Sequence, residues 1–458
     1  LKVVSLFAGC GGLDLGFEKA GFDVVWANEY DSSIHATYRL NHPNTHLCTL
    51  DIREIKASDI PDCDGIIGGP PCQSWSLGGK CLGIEDDRGK LVYDYIRIVK
   101  DKMPKFFIME NVPGMVTPKH FNAFNEFLDL FRNAGYVVKY ELMNAADFQI
   151  PQERQRVIIV GTRKNLIVEY LFPTRLDSIP VTLLRAIGDL KTPPTPYNNK
   201  HVNKGNNIIP NHDYYTGPFD SKFMARNRVR GWDELSFTIQ AQAKNEPLHP
   251  QAPKMAYVSP QERIFVKGKE HLYRRLSVRE CARIQTFPDN FKFVYDKVED
   301  GYKMVGNAVP PRLAYHIALS IRKCFSISMI SSPNRGIALI GYVKSESDFN
   351  IIKKENIYYI RGGNRPGAMQ YGQLTRPIKW ILLHRGNHKE LLELVTGKAE
   401  RCNRAFLRNL GFHPNGDEYW FFRIKQVIKD DFVFSAIVKE AKVFKHSPHI
   451  VCVGNNVK

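Results

Sequence analysis

The sequence has no Cys-x-x-Cys pair. Its nine cysteines stand apart at positions 10, 48, 63, 72, 81, 281, 324, 402 and 452. An odd set of scattered thiols makes neither a zinc ligand set nor a disulfide framework, so no metal is expected and a reducing cytoplasm suits the chain. No apolar run approaches the roughly 18 residues that a membrane span needs, which argues against a membrane partner. The opening Leu1-Lys2-Val3-Val4-Ser5-Leu6-Phe7 meets glycines too soon to read as a secretion signal. Internal repeats and long low-complexity tracts are missing as well, which excludes solenoids and collagen-like arrays. Acidic residues are in deficit: 47 Asp+Glu face 64 Lys+Arg, a net charge of +17 and a pI near 9.3. Such an excess points to a polyanionic partner, most often nucleic acid. It is unevenly spread, since residues 325–458 hold 21 Lys+Arg and 11 Asp+Glu and so carry +10, leaving +7 for the rest.

With 458 residues, 43% of them hydrophobic and 24% charged, the chain has the composition of a soluble protein of two or three domains. Residues 1–172 alternate short β-branched runs (3–7, 23–28, 64–68, 105–110, 137–142, 157–161) with helical patterns near 13–21, 31–40, 90–102 and 119–134. This alternation predicts an α/β fold with a parallel sheet covered by helices. From about 173 the sequence turns rich in Pro, Asn and Gly, as in Lys191-Thr192-Pro193-Pro194-Thr195-Pro196, and predicts a separate loop-rich module. Helical patterns return at 277–285 and 310–323. Beyond a break at Ser326–Gly336, strand-like runs follow at 337–343, 356–360, 379–383 and 432–438.

Four stretches carry chemistry. Phe7-Ala8-Gly9-Cys10-Gly11-Gly12-Leu13 lies between a predicted strand and helix, where glycines allow close backbone approach and a helix N-terminus adds donors. Any tight strand-to-helix turn favours glycine, but Glu29 ends the second run and Asp51 stands at the end of a third strand. In an open α/β sheet all three meet at the carboxyl edge, and together they favour an adenosine-containing cofactor with Glu29 on the ribose hydroxyls. In Gly68-Gly69-Pro70-Pro71-Cys72-Gln73-Ser74-Trp75-Ser76 two prolines stiffen the exit from an apolar strand and project Cys72 at the same edge. A buried inert thiol is the alternative there. The glycine-dotted segment that follows could close as a lid. Glu110 ends the apolar run Phe106–Met109 and needs a partner, which suits it to share a proton with a ring nitrogen. In Gln152-Glu153-Arg154-Gln155-Arg156 alternate residues point one way on an extended chain, aiming two guanidiniums at a phosphate or a polarised carbonyl.

Together with Asn28-Glu29-Tyr30-Asp31, the run Arg274–Asp289 and Gly301-Tyr302-Lys303-Met304-Val305-Gly306-Asn307-Ala308-Val309-Pro310-Pro311, these motifs resemble, in order, the bacterial cytosine-5 DNA methyltransferases. The resemblance runs from residue 2 to about 325. It implies a Rossmann-like methyltransferase sheet that binds S-adenosylmethionine and methylates carbon 5 of a cytosine flipped out of double-stranded DNA. By that resemblance Cys72 attacks carbon 6, Glu110 protonates ring nitrogen 3, and Arg154 and Arg156 hold the base and its phosphate. Phe7, Gly9, Gly11, Leu13, Glu29, Tyr30, Asp51, Ile52, Pro71, Leu91 and Asn307 fall where the family lines its cofactor pocket, and Ser76 and Arg88 fall among DNA contacts. A catalytic domain at 1–172 would be completed by 297–325, with an inserted target-recognition domain at 173–296.

Within 173–296, the run Phe223–Ala241, with Leu248–Pro253 and Lys269–Gln285, resembles the GGCC-methylating branch typified by the HaeIII DNA methyltransferase. Arg226, Arg228 and Arg230 are candidate guanine readers; phosphate contact is the alternative. Lys244 stands where that branch carries an arginine. Residues 327–458 lie outside the resemblance and read as a basic α+β or β-rich accessory domain. Its charge and its aromatics Tyr358, Tyr359, Trp380, Tyr419 and Trp420 suit nucleic acid. Asp431, Glu440 and Lys442 also suit a metal-dependent nuclease. The expectation is a monomeric cytoplasmic methyltransferase paired with a restriction endonuclease. A tRNA methyltransferase and an inactive DNA-binding regulator on the same fold are the alternatives.

Overall fold

The computed structural model describes residues 1–71, 87–166, 170–197, 209–330, 337–342, 346–361, 378–385, 388–394, 400–412, 418–428 and 449–452. The chain forms two compact units, Leu1–Arg322 and Lys323–Lys458.

The first unit is built on β1 (Lys2–Leu6), α1 (Gly12–Lys19), β2 (Asp23–Asn28), α2 (Ser32–Asn41), β3 (His46–Cys48), β4 (Gly65–Gly68), α3 (Asp87–Lys102), β5 (Phe106–Asn111), α4 (Phe121–Asn133), β6 (Tyr136–Asn144) and β7 (Gln155–Arg163). The strands form one sheet in the order β3-β2-β1-β4-β5-β7-β6. β4 and β5 are buried along their whole length, which is why they read as unbroken apolar runs. Phe107 of β5 stacks on Phe131 of α4 with ring centroids 4.0 Å apart, at the centre of the core. β3, three residues long, is too short to show periodicity; it is the third strand expected to end near Asp51, for which no run is drawn from the sequence.

The predicted parallel sheet is present over five strands, and the sheet as a whole is mixed. β1 to β5 pair in parallel, but β7 runs antiparallel to both β5 and β6. The link from β6 to β7, residues 145–154, is too short for the parallel crossover of roughly a dozen or more residues, so the strand must turn back.

Register then fixes the site. Leu6 pairs with Asn28 and with Gly68, Asn28 with Cys48, and Gly68 with Met109. The ends of all five parallel strands therefore emerge at one edge. Because β7 is reversed, it begins at that edge, with Val157 opposite Asn111.

The remainder of the unit holds α5 (Leu183–Ile187), β8 (Thr195–Tyr197), β9 (Asp213–Tyr215), α6 (Ser221–Met224), β10 (Ala256–Ser259), β11 (Glu262–Ile264), α7 (Val278–Ile284), α8 (Val298–Asn307) and the first part of α9 (Pro311–Ile330). It is loop-rich, as predicted, with two-stranded ribbons β8–β9 and β10–β11. It does not bury a wholly separate core, because Leu183, Phe287 and Tyr302 share a cluster with Cys10 and Ile34. A charged cluster pins the start of α7. Arg274 donates to both Glu280 oxygens at 2.7 Å, Glu280 accepts from the Ser277 amide at 2.7 Å, and His249 lies 3.5 Å from the same carboxylate.

In the second unit, β12 (Ile337–Tyr342), α10 (Glu346–Glu355), β13 (Ile357–Arg361), β14 (Ile378–Arg385), β15 (His388–Leu394), β16 (Glu400–Asn403), α11 (Arg404–Asn409), β17 (Glu418–Ile428) and β18 (His449–Cys452) form a mixed sheet. The order is β13-β17-β15-β14-β12-β18, with β16 against β17. β12 to β14 answer three of the predicted runs; the fourth, 432–438, lies outside the described residues, as do Asp431, Glu440 and Lys442. Tyr358 is buried rather than offered to a ligand.

Candidate active site

The edge where the parallel strands end encloses a cavity of about 510 Å³, within the size range of cofactor sites. Its floor is the turn after β1. Phe7 and Gly9 both take left-handed backbone, at φ 54° and φ 57°. For a phenylalanine that geometry costs on the order of 1–3 kcal/mol, a strain typical of ligand-holding turns. Gly9 and Leu13 line the cavity, but Gly11 does not. Gly11, at φ 86°, caps α1, and a Cβ there would lie 2.1 Å from Nε2 of His42. Its role is therefore close packing beneath the turn. That imidazole stacks on Tyr38, whose hydroxyl donates to the buried Asp14 at 2.6 Å.

Glu29 is the keystone of the turn. Its carboxylate accepts the Gly9 amide at 2.8 Å through one oxygen and the Asp31 amide at 2.8 Å through the other. Burial pushes its carboxyl up, against the opposing effect of these amides. Next to it Tyr30 lines the cavity with 69% of its surface exposed, an open aromatic face. Asp51 and Ile52 line the neighbouring wall. Asp51 accepts two bonds from the Arg53 guanidinium, at 2.9 and 2.5 Å, and one from its amide at 3.0 Å, which hold its carboxyl below the usual range. Leu91 and Pro71 close one side and Asn307 the other. Ten of the eleven predicted cofactor residues thus meet in one place.

Motif reading missed Lys303 and Met304 in the same wall. Lys303 precedes Asn307 by one helical turn on α8 and forms an ion pair with Asp31, whose other oxygen caps α2. The i, i+4 spacing of Lys303 and Asn307 within the Gly301–Pro311 run is the sequence signal for it.

Glu110 and Arg156 line the cavity together, with Nε of Arg156 donating to the carboxylate at 2.8 Å. The antiparallel register explains the meeting: Glu110 faces Ile158, and Arg156, two residues earlier, shares that face one diagonal step away. The Pro70 carbonyl accepts from Nδ2 of Asn111 at 3.2 Å. A Cβ on Gly69 would lie 3.0 Å from a Glu110 oxygen. The turn leading to Cys72 thus passes directly over Glu110. Cys72 and Ser76, and the side chain of Arg88, lie outside the described residues. Cys10, the cavity-lining thiol within them, is pushed up to about 12 by burial and is no nucleophile at neutral pH.

Arg154 departs from prediction. It is 1% exposed, and its guanidinium donates to the carbonyls of Ile239 at 3.1 Å, Gly306 at 2.8 Å and Ala308 at 3.0 Å. Gln152 also reaches Ile239 rather than the cavity. Residues 152 and 154 precede β7, so the chain turns between them and Arg156 and the three do not share one target. Among the candidate base readers, Arg228 is also buried, donating to the Phe223 and Lys222 carbonyls. Arg230 pairs with Glu153 at 2.7 Å and Glu234 at 3.4 Å. Arg226 and Lys244 are exposed, and Arg226 borders a second cavity of about 190 Å³ with Gln240 and Asn245.

One cavity thus gathers a glycine turn, two acids and an open aromatic, with a paired carboxylate and guanidinium at its rim. Residues 1–323 match the family model for the C-5 cytosine-specific DNA methylase. The chain belongs to that family. Over 328 residues it is 53% identical to the type II methyltransferase M.NgoPII of Neisseria gonorrhoeae, covering 70% of this chain and 96% of that protein. It is 52% identical to M.FnuDI of Fusobacterium nucleatum, with 70% and 94% covered, and 50% identical to M.MthTI of Methanothermobacter thermautotrophicus, with 70% and 97% covered. Among solved structures, a protein described as a DNA modification methyltransferase encoded within an E. coli prophage superposes with a TM-score of 0.55 at 24% identity, covering 71% of this chain and 99% of its own. The Entamoeba histolytica methyltransferase EhMeth superposes at 0.52 and 16%, covering 70% and 98%. These two share its fold. The protein is a type II C-5 cytosine DNA methyltransferase of the restriction-modification kind.

Proposed function

We propose that this methyltransferase uses S-adenosylmethionine to methylate carbon 5 of a cytosine flipped from duplex DNA, within GGCC, with Cys72 as nucleophile. The observation that carries the reading is the Glu110–Arg156 pair at the cavity rim, beneath the turn that leads into Cys72. The cavity suits the cofactor: Tyr30 offers a stacking face for adenine, and Glu29 keeps acceptor lone pairs for ribose hydroxyls. When bound, S-adenosylmethionine supplies an electrophilic methyl group.

The chain's own residues prepare the cytosine for it. Carbon 5 of cytosine is a weak nucleophile, so the Cys72 thiolate adds to carbon 6, forming a C–S bond and sending the ring's electron pair toward carbon 5 and nitrogen 3. Glu110 delivers a proton to nitrogen 3, so the adduct carries no full charge. Arg156 orients Glu110 and sets a guanidinium near the ring carbonyl. After methylation a base removes the carbon 5 proton, the C–S pair returns to sulfur, and Glu110 recovers its proton. Residues 173–296 present the duplex, with exposed Arg226 as the leading guanine reader and exposed Lys244 as a second. The likeness of the Phe223–Ala241 run to the GGCC branch supports that target. The basic unit after Arg322 would add affinity for the polyanion, and a cognate endonuclease would share the site.

The test is incubation with duplex DNA and labelled cofactor, followed by bisulfite mapping. Label confined to GGCC and lost in Cys72→Ser supports the reading. Label in RNA alone, or unchanged label in Cys72→Ser, overturns it.

A further inference from the structure

Arg154 is almost fully buried, yet it stands outside the cofactor cavity and joins two surfaces that face different ligands. Gly306 and Ala308, which accept from one of its terminal nitrogens, line the cofactor cavity on either side of Asn307. Ile239, which accepts from the other, lies between Thr238 and Gln240, both lining the second cavity beside Arg226. The two segments touch directly, since a Cβ on Gly306 would lie 2.0 Å from the Gln240 carbonyl oxygen.

Two glutamines repeat the link. Gln152 accepts from the Ile239 amide at 2.8 Å and donates to Gln285 at 2.7 Å. Gln285 donates in turn to the Val305 carbonyl at 2.7 Å. A buried guanidinium is tolerated only while its carbonyl partners stay in place. Displacing either segment would break bonds to the buried cation, so the wall of the cofactor cavity and the recognition segment are held to one joint arrangement.

We propose that Arg154 is a positioning residue that makes cofactor binding and duplex-DNA binding mutually dependent. A ligand that seats the Gly306–Ala308 wall thereby seats Ile239 and its neighbours for DNA, and the reverse effect must be equal. This rests on the proposed use of S-adenosylmethionine and on duplex recognition by residues 173–296.

The experiment measures the affinity of the full chain for S-adenosylhomocysteine by calorimetry, with and without saturating sheared genomic duplex DNA, which contains every short site. The wild-type protein should bind it about 5- to 100-fold more tightly with DNA present, the usual range for such coupling. Arg154→Lys keeps the charge but loses the fork that spans three carbonyls, and its coupling should fall below about twofold while binding without DNA is retained. Gly306→Ala, which pushes on the Gln240 carbonyl from the other side, should also lose coupling and serves if Arg154→Lys does not fold.

A merely structural role would lower both affinities or the melting temperature and leave their ratio intact. Wild-type binding that ignores DNA, or undiminished coupling in both variants, overturns the proposal. Failure of the wild-type protein to bind S-adenosylhomocysteine at all overturns the cofactor reading, and the proposal with it.

Discussion

Replacing Gly11 by alanine tests the packing beneath the cofactor turn. The backbone there sits at φ 86°, and the new Cβ would lie 2.1 Å from Nε2 and 2.6 Å from Cδ2 of His42. The left-handed backbone alone costs about 1–2 kcal/mol. The imidazole has little room to retreat. It is 2% exposed, stacks on Tyr38 at 4.6 Å, meets Phe291 edge-on at 6.1 Å and shares a 3.0 Å hydrogen bond with Glu18. Shifting it forfeits that bond, worth about 1.5–3 kcal/mol where one partner is charged. Gly11→Ala should therefore destabilise the protein by about 3–5 kcal/mol, a fall on the order of 10 °C in melting temperature.

Gly9→Ala is the control. Its φ is also positive, at 57°, but nothing lies within 4 Å of the added Cβ, so only the backbone cost of about 1–2 kcal/mol applies. Calorimetric melting of both variants, alone and in a His42→Ala background, separates the two contributions. Equal losses for Gly9→Ala and Gly11→Ala, or no relief of Gly11→Ala by His42→Ala, would refute the account.

Glu110→Gln removes the proposed proton donor but keeps the shape, so single-turnover methylation should slow by about 10²–10⁴-fold while S-adenosylhomocysteine affinity shifts by less than about threefold; an unchanged rate would remove Glu110 from the chemistry. Cys10, its thiol pushed up to about 12 by burial, should resist iodoacetamide at pH 8 until the protein unfolds, as mass spectrometry can follow; native-state labelling would contradict its burial. His249 is pushed down to about 4, chiefly by burial, with Glu280 opposing and Arg274 assisting. Its folded pKa lies below the ordinary histidine value, so the unfolded chain binds more protons between them, and stability present above pH 6.5 is lost as pH falls toward 4. The loss is about 3 kcal/mol, and urea titrations across that window should show a shallower slope in His249→Gln.

Much of the candidate cofactor site was legible because its residues sit in short local motifs whose geometry is set by one strand end each. Gly9, Glu29, Asp51 and Pro71 each follow a parallel strand, and the alternation of strands and helices implies that these ends share an edge. The reversal of β7 was not legible from its apolar run, because Val157–Val160 is equally buried in either direction; the short 145–154 link was the clue. That reversal separates the fates of Arg154 and Arg156, which read alike at spacing two. Arg228 deceived for a related reason: a buried arginine that donates to the Phe223 and Lys222 carbonyls looks, in sequence, like any member of a basic run. What such a side chain bonds depends on chain segments brought together only by folding.

The wall formed by Lys303 to Val309 has a consequence for synthesis. Most of the cavity is encoded in the first third of the chain, but a growing polypeptide leaves one side open until this last segment clears the ribosome. At ordinary elongation of about 5–20 residues per second, the roughly 200 residues from Glu110 to Val309 take on the order of 10–40 s. Throughout that interval the nascent chain already carries Cys72 and Glu110. It still lacks the helix that supplies Asn307 and the Lys303–Asp31 ion pair. The proposed nucleophile is thus made before the wall that completes the cavity, so a chain cut short before Lys303 carries Cys72 and Glu110 beside a cavity that lacks one side.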